Sequence, residues 1–208
     1  MPSKADEVVQ RGFLEGTLMP LIEKAKKREI HLFFLDASHF VMGGFAGRCW
    51  SIVRKWVKTA CGRKRFNVLG ALNFATKRVE TVVNATYITS TEVMEMLEKL
   101  AREYAGKPIK IVLDNARYQH CKAVLEKAEQ LGVELIFLPT YSPNLNLIER
   151  VWKLVKSKVL NSAYHETFEC FSRKIEDCID SLHTKFAPEM STLITQKFHL
   201  VNTNDIIT

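Results

Sequence analysis

Hydrophobic positions along the chain follow two patterns. Apolar runs predict five β-strands, at residues 30–36, 65–74, 78–88, 108–114 and 133–139. Apolar residues at helical spacing predict helices over residues 7–29, 90–104 and 119–131, after Pro143, and over 166–185. Pro20 must begin, end or kink a piece of the first helix, because proline cannot donate a backbone hydrogen bond. This order of elements indicates an α/β protein.

The order of the strands also predicts how they pair. The first three strands follow one another without a helix between them and predict an antiparallel meander. From residue 90 onward strands and helices alternate, which predicts parallel pairing. Together they describe a ribonuclease H-like fold, a mixed five-stranded sheet of three antiparallel and then two parallel strands, flanked by helices. We expect an N-terminal helical lead-in at residues 1–29, the ribonuclease H-like domain at 30–165, and a C-terminal helical extension at 166–208 that packs on the same domain.

Composition excludes several classes of protein. The chain has 208 residues, 47% of them hydrophobic, which is enough for one buried core. No apolar run approaches the roughly 20 residues that cross a membrane, and the first residues lack the apolar core of a signal peptide. The five cysteines show no zinc-ligand spacing and are odd in number, so we expect reduced thiols. These features predict a cytoplasmic protein without a membrane partner.

Positive charge is concentrated in one segment. The formal net charge is +7, which favours a polyanionic partner. Seven basic residues and no acidic one occur from residue 48 to 65: Arg48, Arg54, Lys55, Lys58, Arg63, Lys64 and Arg65. Trp50 and Trp56 lie among them, and this combination suits phosphate contacts and base stacking. A solvated hairpin or loop with the tryptophans packed inward explains the same segment equally well.

Two predicted strands end in an aspartate. Asp36 and Asp114 each close an apolar run, at the end of the strands where α/β sheets assemble ligand sites. For either aspartate alone, a helix cap or an Asx-turn is the better interpretation. Glu149 lies in the first turns of the helix after Pro143, where a single glutamate usually stabilises the helix through a favourable interaction with its dipole. In that turn, Asn144 or Asn146 can cap the helix.

The three acidic residues would form a cation-binding site if their side chains lay in one cleft. Three carboxylates in one cleft repel each other unless cations lie among them. An oxygen-only ligand set suits Mg²⁺ or Mn²⁺, and two such ions can promote attack on a phosphodiester. The pattern therefore predicts phosphoryl transfer on nucleic acid. The candidate DNA contacts are the basic segment and three residues of the helix after Pro143, namely Arg150, Lys153 and Lys156.

Residues 113–120 (LDNARYQH) and 137–156 (FLPTYSPNLNLIERVWKLVK) resemble the catalytic core of the IS630 branch of the Tc1/mariner transposase superfamily. Members carry a DDE triad with thirty-four residues between the second aspartate and the glutamate, and thirty-four residues separate Asp114 from Glu149. Residues 34–40 match the block of the first aspartate, and residues 47–50 and 65–73 match the hairpin that follows. Many relatives have proline at Leu147 and an acidic residue at Ala37, but neither difference removes a ligand.

The resemblance implies that Asp36, Asp114 and Glu149 form a catalytic triad that binds two Mg²⁺ or Mn²⁺ ions, supported by Asn115 and Asn146. It implies a DNA transposase that cleaves double-stranded DNA at element ends and joins the released 3′-hydroxyl to a target at TA. The active complex would be a homodimer or larger, in the bacterial cytoplasm or nucleoid.

Complete members also carry an N-terminal helix-turn-helix region, whereas about thirty residues precede the first catalytic strand here. This length fits the downstream product of a split reading frame, an internally started or decayed copy, or an isolated catalytic domain, and another frame or chain is one source of the helix-turn-helix region. Two alternatives remain open: a related ribonuclease H-like nuclease, and a non-catalytic DNA-binding fragment that regulates a full-length transposase. His39 and His120 follow the two aspartates closely, but each is better interpreted as a hydrogen-bonded surface histidine than as a ligand.

Overall fold

The computed structural model describes residues 6–43, 52, 53, 56, 64–161, 164–198 and 200. The helices are α1 (Glu7–Phe13), α2 (Met19–Lys26), α3 (Ser90–Glu103), α4 (Lys122–Gln130), α5 (Ile148–Val159), α6 (Phe168–Asp180) and α7 (Ala187–Leu193). The strands are β1 (His31–Val41), β2 (Arg65–Asn73), β3 (Val79–Asn84), β4 (Ile109–Leu113) and β5 (Val133–Phe137). A π-helical turn, Leu14–Leu18, joins α1 to α2, and 3₁₀ turns occupy Pro143–Leu145 and Ser181–His183.

The five strands form one mixed sheet in the order β3-β2-β1-β4-β5. β2 pairs antiparallel with both β1 and β3, whereas β4 pairs parallel with both β1 and β5. Parallel pairing needs a crossover connection, which α4 supplies between β4 and β5. The predicted ribonuclease H-like architecture of three antiparallel and two parallel strands is confirmed.

Helices cover both faces of the sheet. Alternation along β1 sends Phe33 and Leu35 into one apolar cluster, which also contains Leu97 from α3. Phe34 points to the opposite face and joins a second cluster that contains Trp152 from α5. A central strand that is buried on both faces reads as a continuous apolar run, and this is why the sequence pattern identified β1.

β1 is longer than its apolar run. The sequence predicts a strand that ends at Asp36, but β1 continues to Val41 because its second half pairs with β2. In that half, Ser38 and Phe40 are buried while His39 is exposed, so one face remains covered. The expectation that Asp36 ends a strand is therefore wrong, whereas β4 does end directly before Asp114.

The N-terminal helices adapt to Pro20, as the sequence predicts. α1 begins at an Asp6 cap, whose Oδ1 accepts hydrogen bonds from the amides of Val8 (2.9 Å) and Val9 (3.2 Å). The π-helical turn precedes Pro20, which stands in the first turn of α2 where its missing N–H costs little. Among the described residues, no helix combines the length and apolar character needed to cross a membrane.

Candidate active site

Asp36 and Asp114 are neighbours on adjacent strands. The parallel pairing of β1 with β4 ends at Leu35 and Leu113, and the two aspartates follow directly. Adjacent strands are about 4.8 Å apart, so the two aspartates lie close together at the C-terminal end of the β1–β4 ladder. Both side chains are partly buried. The structure thus brings together two of the three acidic residues that the sequence singles out.

Glu149 completes the group from a different element. It lies in the first turn of α5, which packs on the sheet beside β1. Burial raises the pKa of Asp36 to about 8, and the negative charges of Glu149 and Asp114 contribute to the increase. The Asp36 carboxyl is therefore close enough to both other acidic residues for their charges to affect its protonation.

Asn146 connects the turn before α5 to the two strands. Its Nδ2 donates a hydrogen bond to the carbonyl oxygen of Leu35 at 3.1 Å and lies 3.5 Å from Oδ1 of Asp114. Burial raises the pKa of Asp114, and the Asn146 amide partly offsets that increase. The amide therefore lies between the backbone of β1 and the Asp114 carboxylate.

The prediction that Asn144 or Asn146 caps α5 is wrong, since α5 begins after Leu147 without a side-chain cap. Instead, the Asn146 side-chain N–H group points to the Leu35 carbonyl in β1 and to Asp114. Its Oδ1 is buried without a hydrogen-bond partner. The supporting role that the family resemblance implies for Asn146 thus has a physical basis in these contacts. Asn115, the other predicted supporting residue, is exposed next to Asp114.

Trp152 packs beside Asp36. Asp36 pairs with Gly70 across the β1–β2 ladder, and the indole of Trp152 lies against that glycine. The indole N–H lowers the pKa of Asp36, although Nε1 is buried without a hydrogen bond of full geometry. The sequence identifies Trp152 as a core residue, but not as a neighbour of the acidic group.

Tyr118 is a second neighbour that the sequence analysis missed. Burial raises the pKa of Tyr118 to about 12, with contributions from the charges of Asp36 and Asp114. The buried Gln119 donates from Nε2 to the Tyr118 hydroxyl at 3.3 Å. The phenol therefore keeps its proton at neutral pH and is available as a hydrogen-bond donor. It lies in the loop before α4, where no periodic pattern marks it.

The two histidines have local partners. His39 Nδ1 lies 2.6 Å from Oδ1 of Asn67, and the His120 ring packs on Phe137 with 4.4 Å between ring centroids. Both histidines are exposed. These contacts agree with their interpretation as surface residues.

The predicted DNA contacts divide into two groups. Five of them, Arg48, Arg54, Lys55, Lys58 and Arg63, lie outside the described residues, as does Trp50. Lys64 and Arg65 are exposed at the start of β2, and Lys153 is exposed one turn after Glu149 on α5. Lys156, farther along α5, is partly buried with its Nζ 5.7 Å from the centroid of the Phe40 ring.

Arg150 has a structural role that the sequence does not reveal. Its guanidinium donates hydrogen bonds to the carbonyl oxygens of Leu193 (2.9 Å), Thr195 (3.3 Å) and Lys197 (2.7 Å). It also lies over the Phe198 ring, 5.5 Å from the centroid. Arg150 therefore anchors the segment after α7, and its contact with DNA stays a prediction.

The donor set fits a hard divalent cation. Asp36, Asp114 and Glu149 supply only carboxylate oxygens. Burial and then the charges of Glu149 and Asp114 raise the pKa of Asp36, and a cation would offset the contribution of those charges. Across residues 6–43, 64–161 and 164–198, no three acidic, histidine or cysteine side chains are close enough to enclose one ion. Mg²⁺ typically uses one or two carboxylates and completes its shell with water and substrate phosphate, which suits this open arrangement.

Comparison with known proteins agrees with this site. The sequence profile of the DDE superfamily endonuclease family matches residues 31–172. The chain belongs to this family. The matched region begins with β1 and includes Asp36, Asp114 and Glu149. No curated protein sequence matches the chain.

Solved structures share the fold at low sequence identity. The catalytic domain of Mos1 mariner transposase matches with a TM-score of 0.54 and 14% identity, over 96% of this chain and 100% of that chain. A pre-cleavage Mos1 transpososome gives a TM-score of 0.58 and 14% identity, over 96% of this chain and 66% of that chain. The Mos1 paired-end complex with Mg gives 0.58 and 15% identity, with the same coverage. The chain thus shares the ribonuclease H-like core and spans about two-thirds of the length of the Mos1 chains in those complexes.

Proposed function

We propose that the protein is the catalytic domain of a DNA transposase of the IS630 branch of the Tc1/mariner superfamily. It cleaves DNA at element ends and joins the released 3′-hydroxyl to target DNA, at TA. The observation that carries the proposal is the placement of Asp36 and Asp114 at the end of the β1–β4 ladder, with Glu149 in the first turn of α5, which packs on the sheet beside β1. The thirty-four residues between Asp114 and Glu149 support it. So does the fold shared with Mos1 complexes that include a pre-cleavage and a strand-transfer state.

The proposed cofactor is a pair of Mg²⁺ or Mn²⁺ ions. Asp36, Asp114 and Glu149 would hold these ions through their carboxylate oxygens. When bound, such ions activate a water or 3′-hydroxyl and stabilise the leaving oxygen of a phosphodiester. Mos1 paired-end complexes have been solved with Mg and with Mn.

The residues around the triad prepare the cleft for a phosphodiester. Asn146 Nδ2 lies 3.5 Å from the Asp114 carboxylate, and the Trp152 indole packs against Gly70, the residue that pairs with Asp36. Tyr118 retains its proton beside Asp36 and Asp114 and donates a hydrogen bond to a phosphate oxygen. Asn146, Trp152 and Tyr118 would position the reacting atoms, whereas the three carboxylates would bind the cations.

The proposed partner is double-stranded DNA. The exposed Lys64, Arg65 and Lys153 contact its backbone together with the basic segment that precedes β2. The active complex is a homodimer or larger assembly in the bacterial cytoplasm. Recognition of the element ends comes from a helix-turn-helix region in another segment or chain.

The test is nicking and joining of labelled duplexes that carry candidate element ends, with Mg²⁺ or Mn²⁺. The native chain is compared with Asp114→Asn and Glu149→Gln, and the matched control is Glu129→Gln, which changes an exposed carboxylate on α4. We expect the control to keep full activity. The two triad variants should lose more than the roughly 10- to 100-fold that removal of a supporting residue around a metal costs.

The products separate the alternatives. Joined strands identify a transposase, whereas cleavage without joining identifies a nuclease. Salt-dependent DNA binding without cleavage in either metal, even on pre-nicked ends, would overturn the catalytic proposal and favour a regulatory fragment.

A further inference from the structure

Gln10 is an unusual residue in α1. The helix is mostly exposed, with Val8 80% and Val9 52% accessible, yet Gln10 is fully buried and is the buried residue of this helix. A buried amide is costly unless its donor and acceptor are both used. An apolar side chain of the same size would fill the space without that cost, so the partners of Gln10 explain why an amide stands there.

Both ends of the Gln10 amide bind the turn that leads into α5. Nε2 donates a long hydrogen bond of 3.4 Å to the carbonyl oxygen of Tyr141, and Oε1 accepts one of 2.9 Å from Nδ2 of Asn144. Tyr141 has a φ of 58°, a left-handed conformation that a bulky residue rarely adopts. Such a backbone persists only where its surroundings hold it, and Gln10 provides part of that restraint.

The turn passes this restraint on to the acidic group. Within the turn, the amide of Asn146 donates to the carbonyl of Pro143 at 3.0 Å, and the amide of Glu149 donates to the carbonyl of Asn146 at 3.2 Å. The Asn146 side chain in turn holds Leu35 and Asp114. A continuous series of hydrogen bonds and short backbone links therefore connects α1 to two of the three carboxylates.

We propose that Gln10 is a positioning residue of the active site, through which α1 fixes the turn that carries Asn146 and Glu149. Gln10 touches none of the reacting groups and acts through Tyr141 and Asn144. Its catalytic consequence rests on the proposed function, whereas the structural link does not. α1 lies before residue 31, where the match to the family begins, so the link assigns a role to a part of the chain that the family comparison does not cover.

The variant that tests this is Gln10→Met. Methionine has a similar length, forms helices well and fills irregular space, so it keeps the packing of α1 while it removes both hydrogen bonds. The matched control is Gln130→Met, the same change at an exposed position in α4. Asn144→Ala is the second variant, because it removes the 2.9 Å hydrogen bond from the other side.

Hydrogen–deuterium exchange gives the first readout, and it needs no activity. In Gln10→Met we expect the backbone amides of residues 141–149 to exchange about 10-fold faster, while the amides of β4 exchange at the native rate. In the Gln130→Met control, both sets of amides should exchange at the native rate. Asn144→Ala should affect the same amides, and the double variant should fall short of the sum of the two single effects because both variants remove the hydrogen bond between Gln10 and Asn144. Unchanged exchange in both single variants would overturn the proposal.

The second readout distinguishes positioning from mere stability. Below the melting temperature of every variant, Gln10→Met should lower kcat for DNA nicking about 10-fold without changing KM, and should weaken Mn²⁺ binding by a similar factor. If exchange rises while kcat and Mn²⁺ affinity stay unchanged, the link is only structural and the proposal fails. If the native chain does not cleave DNA, the proposed function fails, and the Mn²⁺ affinity alone decides whether Gln10 positions the carboxylates.

Discussion

Gly70 and Trp152 fit together so closely that position 70 has no room for a side chain. A β-carbon there would come within 2.6 Å of both Cη2 and Cζ2 of the indole and 3.0 Å from Cδ1 of Ile148. Gly70 is also the residue that pairs with Asp36 across the sheet. The glycine therefore allows α5 to approach the sheet at the point where the acidic group lies.

Gly70→Ala should destabilise the protein by about 1–3 kcal/mol, because the ring cannot move without displacing buried neighbours. For a chain of this size, each kcal/mol corresponds to roughly 2–4 °C in Tm. The control is Gly12→Ala in α1, where no heavy atom lies within 4 Å of the added carbon. Calorimetry should show a lower Tm for the first variant and an equal or slightly higher Tm for the second. Equal Tm values for the two alanine variants would show that the indole is not held against Gly70.

The stability of the metal-free protein should fall as pH rises through the range in which Asp36 is protonated only in the folded state. The Asp36 pKa is about 8 in the fold, against about 4 in an unfolded chain. Between these values the folded state holds a proton that the unfolded state has lost. The free energy of unfolding therefore falls by up to about 1.4 kcal/mol per pH unit, and it stops falling above pH 8.

Urea unfolding in EDTA, from pH 4.5 to 8.5, tests this for the native chain and Asp36→Asn. The native chain should lose stability relative to Asp36→Asn as pH rises, because asparagine does not titrate. Glu129→Gln, an exposed control, should remain parallel to the native chain. Parallel curves for Asp36→Asn would contradict the raised pKa.

Added Mn²⁺ should reverse the destabilisation at pH 8. A cation that binds only the folded protein stabilises it by about 2.7 kcal/mol when its concentration is 100 times Kd. The rise in Tm should be reduced in Asp36→Asn, Asp114→Asn and Glu149→Gln, and preserved in Glu129→Gln. The absence of a metal-dependent rise in the native chain, with or without DNA, would count against the proposed cation site.

Arg150→Lys should destabilise the protein by about 1–3 kcal/mol although it keeps the charge. Lysine cannot reproduce the fork that reaches the carbonyl oxygens of Leu193, Thr195 and Lys197. Chemical unfolding measures the loss. Exchange of the amides after α7 should also become faster, and a native-like exchange rate there would show that Arg150 is not the anchor.

Lys153→Ala should behave in the opposite way. Its side chain is exposed, so stability should change by less than about 0.5 kcal/mol. If Lys153 contacts a DNA phosphate, the slope of log K against log salt should decrease by about 1. An unchanged slope would remove Lys153 from the proposed DNA surface.

The sheet could be predicted because its central strands are apolar on both faces. The runs that became β1, β4 and β5 are short, rich in branched residues and separated by helical patterns, which together determine the pairing. The end of β1 could not be predicted in this way. Residues 37–41 are not an apolar run, and they extend because β2 offers backbone partners from Arg65 onward.

The acidic group could be proposed from spacing and resemblance, but its surroundings could not. Asn146 has a cap-like sequence context, yet its amide binds Leu35, 111 residues away. Gln10 and Arg150 look like ordinary residues of exposed helix faces, and their partners lie 131 and 43 residues away. Helical periodicity reports which face is buried and carries no information about such distant hydrogen bonds.

The unequal lengths of β1 and β4 also give the sheet two mechanical regions. Within the described part of the chain, β1 has partners on both sides as far as Leu35 and pairs with β2 alone from Asp36 to Val41. Strands with fewer neighbours twist more readily than strands in the middle of a sheet. Asp36 and Asp114 therefore stand at the point where β1 changes from two neighbouring strands to one. Under the proposed function, twisting of a bound DNA at the cleft would change the β1–β2 pair beyond Leu35 more than the β1–β4 ladder that sets the positions of Asp36 and Asp114.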